Sequence, residues 1–478
     1  MNSAFEREPD GWSRRKFLAA GAGFSAAGLL AACGQQNRKA QTQAGQDAQA
    51  GQVVNGNYPE DAAKKLNDTL KWPKTAVPEP SSPVEITVAH AWEAAFLTRQ
   101  RQFDKYFTER HPNIKIRIEN TVWGDYRTKY VTSAAGGKLP DLMYMHFSWI
   151  QVFIRQGVFH GLQDYIGKQS DFNFADFTKP STAPFTANGQ LYGVPYDCGP
   201  LMLFYNKDLL AKSGIEEPTD AWTMDKLKQA ALKVTQDGGG KVWGLAGGPS
   251  PANADLAPPW LFPFGARFVN EDQTQCVIND PVAVKAMEYW QELRDAKAIP
   301  TAAQAANVLP DPFGAGRAGF MLGGTWATPS LQAQAKFKWA MAKWPSGPVK
   351  RSTAAEGSAY AITEKSEKKD AAWIYLNEYI SEAGQNFMWA STGRGSPSRS
   401  SAWKYYTGSE LAAPGADQIL PVLDKYASGE ILYLPQTSKA MDAASPIWDR
   451  VVAGKTSVAD GLNQVTNALN PILAQNAQ

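Results

Sequence analysis

A chain of 478 residues with 48 basic and 46 acidic side chains carries a formal net charge of +2. That balance is too even for the clustered positive field that nucleic-acid binding requires. Hydrophobic residues make up 44% and charged residues 20% of the chain, which excludes wholesale disorder, and the length implies more than one domain. The three cysteines cannot staple a scaffold, and the 16 tryptophans offer flat apolar surface either to a core or to a ligand.

At the N-terminus, Ser13-Arg14-Arg15-Lys16-Phe17-Leu18 sets a twin arginine ahead of an uncharged apolar run over residues 17–32. The run is shorter than the roughly 20 residues of a membrane span and suits the h-region of an export signal. It closes on Leu30-Ala31-Ala32-Cys33. The whole resembles a twin-arginine signal joined to the lipobox of bacterial lipoproteins. That resemblance implies removal of residues 1–32, acylation of Cys33 and attachment to the lipid bilayer on the outer side of the cell membrane. Residues 33–83 then read as a flexible tether. Up to about residue 57 they are Gln, Ala and Gly with almost no large apolar side chain, which cannot offset ordering entropy. A short helix over 59–70 and Pro73, Pro78, Pro80 and Pro83 complete the segment.

The folded part opens with a β-branched alternation over 84–88, predicting a strand. A helix over 94–109 follows, with Phe96, Phe103 and Phe107 on one stripe and His111-Pro112 as its stop. Ile114, Ile116 and Ile118 predict a second strand, 126–135 a helix, and 141–145 a third strand. Strand, helix, strand, helix, strand predicts parallel pairing in an open α/β sheet, whose ligands bind outside the carboxyl ends of the strands. Farther on, a long apolar run from 191 to 208, helices over 224–235 and 281–295, and strands near 242–246 and 319–322 predict a second α/β lobe.

The loops at those strand ends read His90-Ala91-Trp92-Glu93, Trp123-Gly124-Asp125 and His146-Phe147-Ser148-Trp149. Each couples a Trp with a hydrogen-bonding group. Such a pairing suits sugars, whose C–H faces stack on aromatics and whose hydroxyls both donate and accept.

Several blocks together resemble one family. They are Gly136-Gly137-Lys138-Leu139-Pro140-Asp141, Tyr205-Asn206-Lys207-Asp208-Leu209-Leu210, the run from Phe313 to Gly324-Thr325-Trp326, and Glu356-Gly357-Ser358-Ala359-Tyr360-Ala361-Ile362. Segments from Gly429-Glu430-Ile431 to Pro435-Gln436 and from 452 to 469 complete the set. In order and spacing they are similar to the carbohydrate-type extracellular solute-binding proteins of ABC importers, the group that includes maltose-binding protein. The resemblance implies two discontinuous lobes joined by a hinge: 84–197 plus 338–393, and 198–337 plus 394–478. It implies a ligand cleft between them, no cofactor, a monomer, and the importer's membrane subunits as partners. By position, Trp326 matches a stacking aromatic and Trp260 falls near another. The expected ligand-binding set is Trp92, Glu93, Trp123, Asp125, His146, Ser148, Trp149, Tyr196, Asp197, Trp260, Trp326 and Arg394. Gly199 and Met441 stand where maltose-binding protein has a carboxylate and a Trp, so the maltose-specific pattern is not reproduced.

Rival chemistries lack their motifs. The four histidines, at 90, 111, 146 and 160, are never four apart, there is no G-x-S-x-G elbow, and Asp449 replaces the first glycine a phosphate loop would need. Two alternatives remain. A phosphorylated polyol such as glycerol 3-phosphate would need more basic groups than Arg394. A secreted glycoside hydrolase would need a carboxylate pair such as Glu93 and Asp125.

Overall fold

The computed structural model describes residues 58–249, 257–309, 311–428 and 437–477. The expected export signal, Cys33, the first part of the tether and the 429–436 block lie outside them.

The first sheet grows from β1 (Val84–His90), flanked in parallel by β2 (Ile114–Asn120) and β3 (Leu142–His146). Between them run α2 (Ala94–Arg110) and α3 (Trp123–Gly136), and α4 (Phe147–Arg155) follows β3 directly. Phe96, Phe103 and Phe107 are buried, as their spacing on α2 requires. Beyond β3 lies β9 (Thr353–Ile362), antiparallel to both β3 and β4 (Val194–Pro200). The short β10 (Ala427–Ser428) pairs in parallel with the start of β9.

The second sheet has the order β8-β5-β7-β6, built from β5 (Met202–Asn206), β6 (Trp243–Ala246), β7 (Ala318–Gly323) and β8 (Trp339–Ala342). Every residue of β5 is buried, matching its unbroken apolar reading. Caps set the helices around it. The Asn206 side chain accepts from the Asp208 and Leu209 amides to start α5 (Lys207–Lys212), and Thr223 does the same for α6 (Met224–Asp237). Asp280 caps α7 (Pro281–Asp295), whose Pro occupies the first turn. The C-terminal pair α9 (Thr437–Val452) and α10 (Val458–Leu473) packs on α7, where Trp290 and Trp448 meet with ring centroids 5.5 Å apart.

Two sheets with their helices thus make two lobes, and strands pass between them. The first crossing is at Leu201, between β4 and β5, three residues later than expected. Residues 339–342, assigned from sequence to the first lobe, pair with β5 in the second sheet instead. The chain rejoins the first sheet only at Thr353. Residues 394–399 and 427–428, expected in the second lobe, bond to the first sheet. The Cys198 amide donates to the Ser396 carbonyl (2.9 Å), and Ala427 pairs with Thr353. Cys198 and Cys276 are both buried and unpaired with one another.

The tether expected over 33–83 is corrected at its C-terminal part, because residues 58–83 are a docked strap. Its helix α1 (Glu60–Thr69) buries Ala63 against α2. Gln102 donates to the Tyr58 carbonyl (2.8 Å), and Gln169 bridges the Lys74 carbonyl and the Ala76 amide (2.6 and 3.0 Å). The Arg110 guanidinium lies 3.9 Å from the Trp72 ring centroid and forks onto Glu378 (2.7 Å at its shortest). His111 bonds Glu79 of the strap through Nδ1 and Glu378 of α8 (Lys369–Tyr379) through Nε2 (2.9 Å). Partners far along the chain hold this segment, Gln169 by hydrogen bonds and Phe387 by a ring contact with Trp72 at 6.2 Å.

Candidate functional site

The carboxyl ends of β1, β2 and β3 bring the three Trp-bearing loops to one edge of the first lobe, but the rings have different fates. Trp123, in the first turn of α3, is 52% exposed. Its ring meets Trp149 at 5.4 Å and lies edge-on to His146 at 5.8 Å. Trp149 is buried behind it, stacked toward Tyr126 at 6.2 Å. His146 Nδ1 bonds Ser148 Oγ (2.7 Å), and burial pushes the imidazole pKa down to about 3, so it is neutral at ordinary pH. His146, Ser148 and Trp149 therefore back the Trp123 face rather than present faces of their own. Asp125 is exposed in the same turn.

Trp92 is only 3% exposed and does not present a platform. Its Nε1 donates to Gln100 (3.0 Å), and its ring is enclosed by Phe96 at 5.0 Å and Tyr196 at 5.4 Å. The Arg394 guanidinium covers what remains, 4.5 Å from the Trp92 centroid. Arg394 in turn forks onto Glu93, with Nη2 at 2.9 and 3.0 Å and Nε at 3.2 Å from the carboxylate oxygens. Burial opposes the charge of Arg394, but Glu93 outweighs it and holds the guanidinium protonated. A fork of this kind fixes both side chains in orientation, with Glu93 at the exposed end.

Tyr196 and Asp197 lie on β4. Tyr196 is buried and stacked on Trp389 (4.7 Å, 21°), so its expected ligand face is covered. Asp197 Oδ1 accepts from the Ser358 amide (2.7 Å) where the pairing of β4 and β9 shifts register, replacing a missing backbone acceptor. Burial pushes its carboxyl pKa up to about 7, with Arg394 acting in the opposite direction. Asp197 is thus a structural acceptor at the hinge.

On the second lobe, Trp326 is 38% exposed, in a turn directly after β7. Its ring lies across Gly324, where a Cβ would come within 2.0 Å of it, so the glycine is what lets the ring sit flat. Next to it, Thr325 Oγ1 bonds Ser396 Oγ (3.1 Å). A Cβ on Gly199 would approach Ser396 Oγ to 2.4 Å, so close passage of the 394–399 segment accounts for the glycine where the resemblance suggested a carboxylate. Trp260 is a correction. It is fully buried, against Trp344 (5.3 Å) and Tyr289 (6.2 Å), and belongs to the second-lobe core.

Sequence reasoning missed an ion pair between the lobes. Arg127 of α3 forks onto Asp442 of α9, Nη1 to Oδ1 at 3.0 Å and Nη2 to Oδ2 at 2.8 Å. It also missed the hydroxyl pair Tyr144 Oη and Ser358 Oγ (3.0 Å) beneath Trp92. No local signal marks either, since their members are 315 and 214 residues apart.

Residues 87–386 match the family described as bacterial extracellular solute-binding protein. A lactose-binding protein of Rhizobium radiobacter is 25% identical over 324 residues, covering 65% of this chain and 74% of that protein. A binding protein of Brucella abortus is 26% identical over 280 residues, 57% of this chain, and the match spans just under two thirds (66%) of that relative. An ABC substrate-binding protein from Listeria monocytogenes, solved in complex with cycloalternan, superposes with a TM-score of 0.73 at 24% identity, over 82% of this chain and 99% of that one. The motif blocks, the two sheets with strands crossing between them, and a family match over more than half of the chain agree: this chain belongs to the bacterial extracellular solute-binding proteins and has their two-lobed fold.

Proposed function

We propose that the protein is an extracytoplasmic receptor for a neutral sugar or oligosaccharide, held at the cell membrane through acylated Cys33, which delivers its ligand to the membrane subunits of an ABC importer. The observation that carries this reading is that each lobe leaves one tryptophan open at a strand end, Trp123 and Trp326, while the other candidate Trp rings are buried. Two flat faces, one per lobe, suit a ligand with apolar C–H faces. The two guanidiniums near these ends, Arg394 and Arg127, are each engaged by a carboxylate, which favours a neutral ligand over a polyol phosphate. Both oxygens of Glu93 are likewise engaged by Arg394, which favours binding over hydrolysis. The relatives named for lactose and cycloalternan belong to the same ligand class.

The test is a thermal-shift panel of lactose, maltose, cyclic glucans and glycerol 3-phosphate. A saccharide at 100 times its dissociation constant adds about 2.7 kcal/mol of stability and should be recovered chemically intact. A shift with glycerol 3-phosphate alone, or cleavage of the sugar lost in Glu93→Gln, would overturn the reading. Cys33→Ala should move the protein from the membrane to the soluble fraction.

A further inference from the structure

We propose that Arg127 and Asp442 form a latch between the lobes, which biases the cleft toward its closed state before any ligand arrives. Arg127 belongs to the first lobe, since α3 starts at the carboxyl end of β2 and runs back to β3. Asp442 belongs to the second, since α9 rests on α10 and α7, and Arg294 of α7 donates to the Val451 carbonyl of α9 at 2.8 Å. Neither residue lies on a crossing strand, so the pair constrains lobe orientation independently of the hinge. The contact is a two-bond fork, the geometry in which a guanidinium and a carboxylate fix mutual orientation as well as distance. Beside it, α9 also packs against α4, which carries Trp149.

Arg127 is one helical turn after Trp123, and residues four apart share a helix face. The latch is therefore on the same face of α3 as the exposed ring. Competition for its two charges comes from close by. Lys129 on α3 is occupied by Glu119 at 3.5 Å, and Lys439 lies one turn before Asp442 on α9.

The side chains are 32% and 63% exposed, so the latch is an adjustable bias and not a lock. Exposed pairs of this kind shift an equilibrium about 1.5- to 5-fold. Where only the closed state grips both faces of a ligand, the apparent dissociation constant scales inversely with the closed fraction. Breaking the latch should raise that constant by up to the same factor, the full factor holding when the closed state is a small fraction of the population. This second consequence rests on the proposed sugar-binding function; the first does not.

The experiment measures lobe separation without ligand. Spin labels at exposed Lys138 and Lys285, in a Cys33→Ala chain whose two other cysteines are buried, report the interlobe distance distribution. Arg127→Ala and Asp442→Ala should each shift population to longer distances. The charge-swapped double variant Arg127→Asp/Asp442→Arg should restore the shorter ones, and 0.5 M salt should mimic the single variants in the wild type. Melting curves confirm that each variant is folded. With lactose as probe, the single variants should bind more weakly, by up to about 5-fold, and the swap should recover. Unchanged distances in both single variants, or a folded swap that does not restore them, would overturn the latch. Latch-dependent distances in a protein that binds no saccharide would leave the latch standing and remove the carbohydrate reading.

Discussion

The two lobes present tryptophan in opposite ways. On the first lobe, Trp92, Trp149, Tyr144, Tyr196, Tyr360 and Trp389 interlock ring on ring beneath the strand ends, and only Trp123 is left with an open face. On the second, Trp326 has no ring neighbour within stacking range among the described residues and lies on glycine backbone, while Trp260 is deep in the core. A tryptophan in a strand-end loop is therefore no guide to a ligand surface by itself. What decides is whether other rings have already used its faces. An aromatic-rich wall backs its one exposed ring with a rigid layer, whereas a lone ring on glycine depends on the turn that holds it.

The sharpest way to break this contrast is to truncate a ring from each class. Trp260→Ala should cost about 3–5 kcal/mol of folding stability, read from urea unfolding, with no change in saccharide affinity beyond the loss of folded protein. An intact fold with lost affinity would place Trp260 in the cleft after all.

A smaller effect of opposite kind is expected at the open faces. Trp123→Ala and Trp326→Ala should each weaken saccharide binding by about 1–3 kcal/mol, the range for stacking on an aromatic in another ligand class. That is roughly a 5- to 150-fold rise in dissociation constant by titration calorimetry, with little change in unfolding midpoint. The two variants also sharpen the contrast between lobes. Trp123 has Trp149 and His146 behind it, so its loss leaves a second aromatic layer and should be the milder of the two.

Much of this was legible from sequence, where the determinants are local. Val84–His90 and Ile114–Asn120 follow from alternation, and Pro281–Asp295 from an Asp-Pro start with apolar spacing. The motif blocks carried the two-lobed family fold. What escaped was everything set by distant partners. Trp92 reads as a loop residue until Tyr196 and Arg394 close over it, and Asp197 as a sugar acceptor until the register shift at Ser358 claims its oxygen. The strap over 58–83 reads as a tether because its anchors, Gln102, Gln169 and Phe387, are far along the chain.

The strap adds a further difference between the lobes, since the contacts described for it are to first-lobe elements, and it yields the smallest expected effect. Burial alone would lower the His111 pKa, but the bonds and charges of Glu378 and Glu79 outweigh it, so the folded value lies above the ordinary 6.5. A raised folded pKa means that protonated His111 stabilises the docked strap. That contribution is full below pH 6.5 and is lost as pH rises through the folded value. Asp104 and Asp197 act in a neighbouring window. Burial pushes both carboxyls up to about 7, so their stabilising neutral form is lost between about pH 4 and 7. Between pH 4 and 6.5 the buried neutral imidazoles of His90 and His146, whose pKa burial lowers to about 3, act with the opposite sign and offset that loss. The unfolding midpoint should thus decline chiefly above pH 6.5, and His111→Gln should flatten part of that decline. Hydrogen exchange locates the loss. Corrected for intrinsic rates, amides of 58–79 should exchange faster at pH 8 than at pH 6 in the wild type, while those of α9 and α10 in the second lobe should not. Equal acceleration in both lobes would show that His111 supports the global fold and not the strap, and the difference between the lobes would then lie in their tryptophans alone.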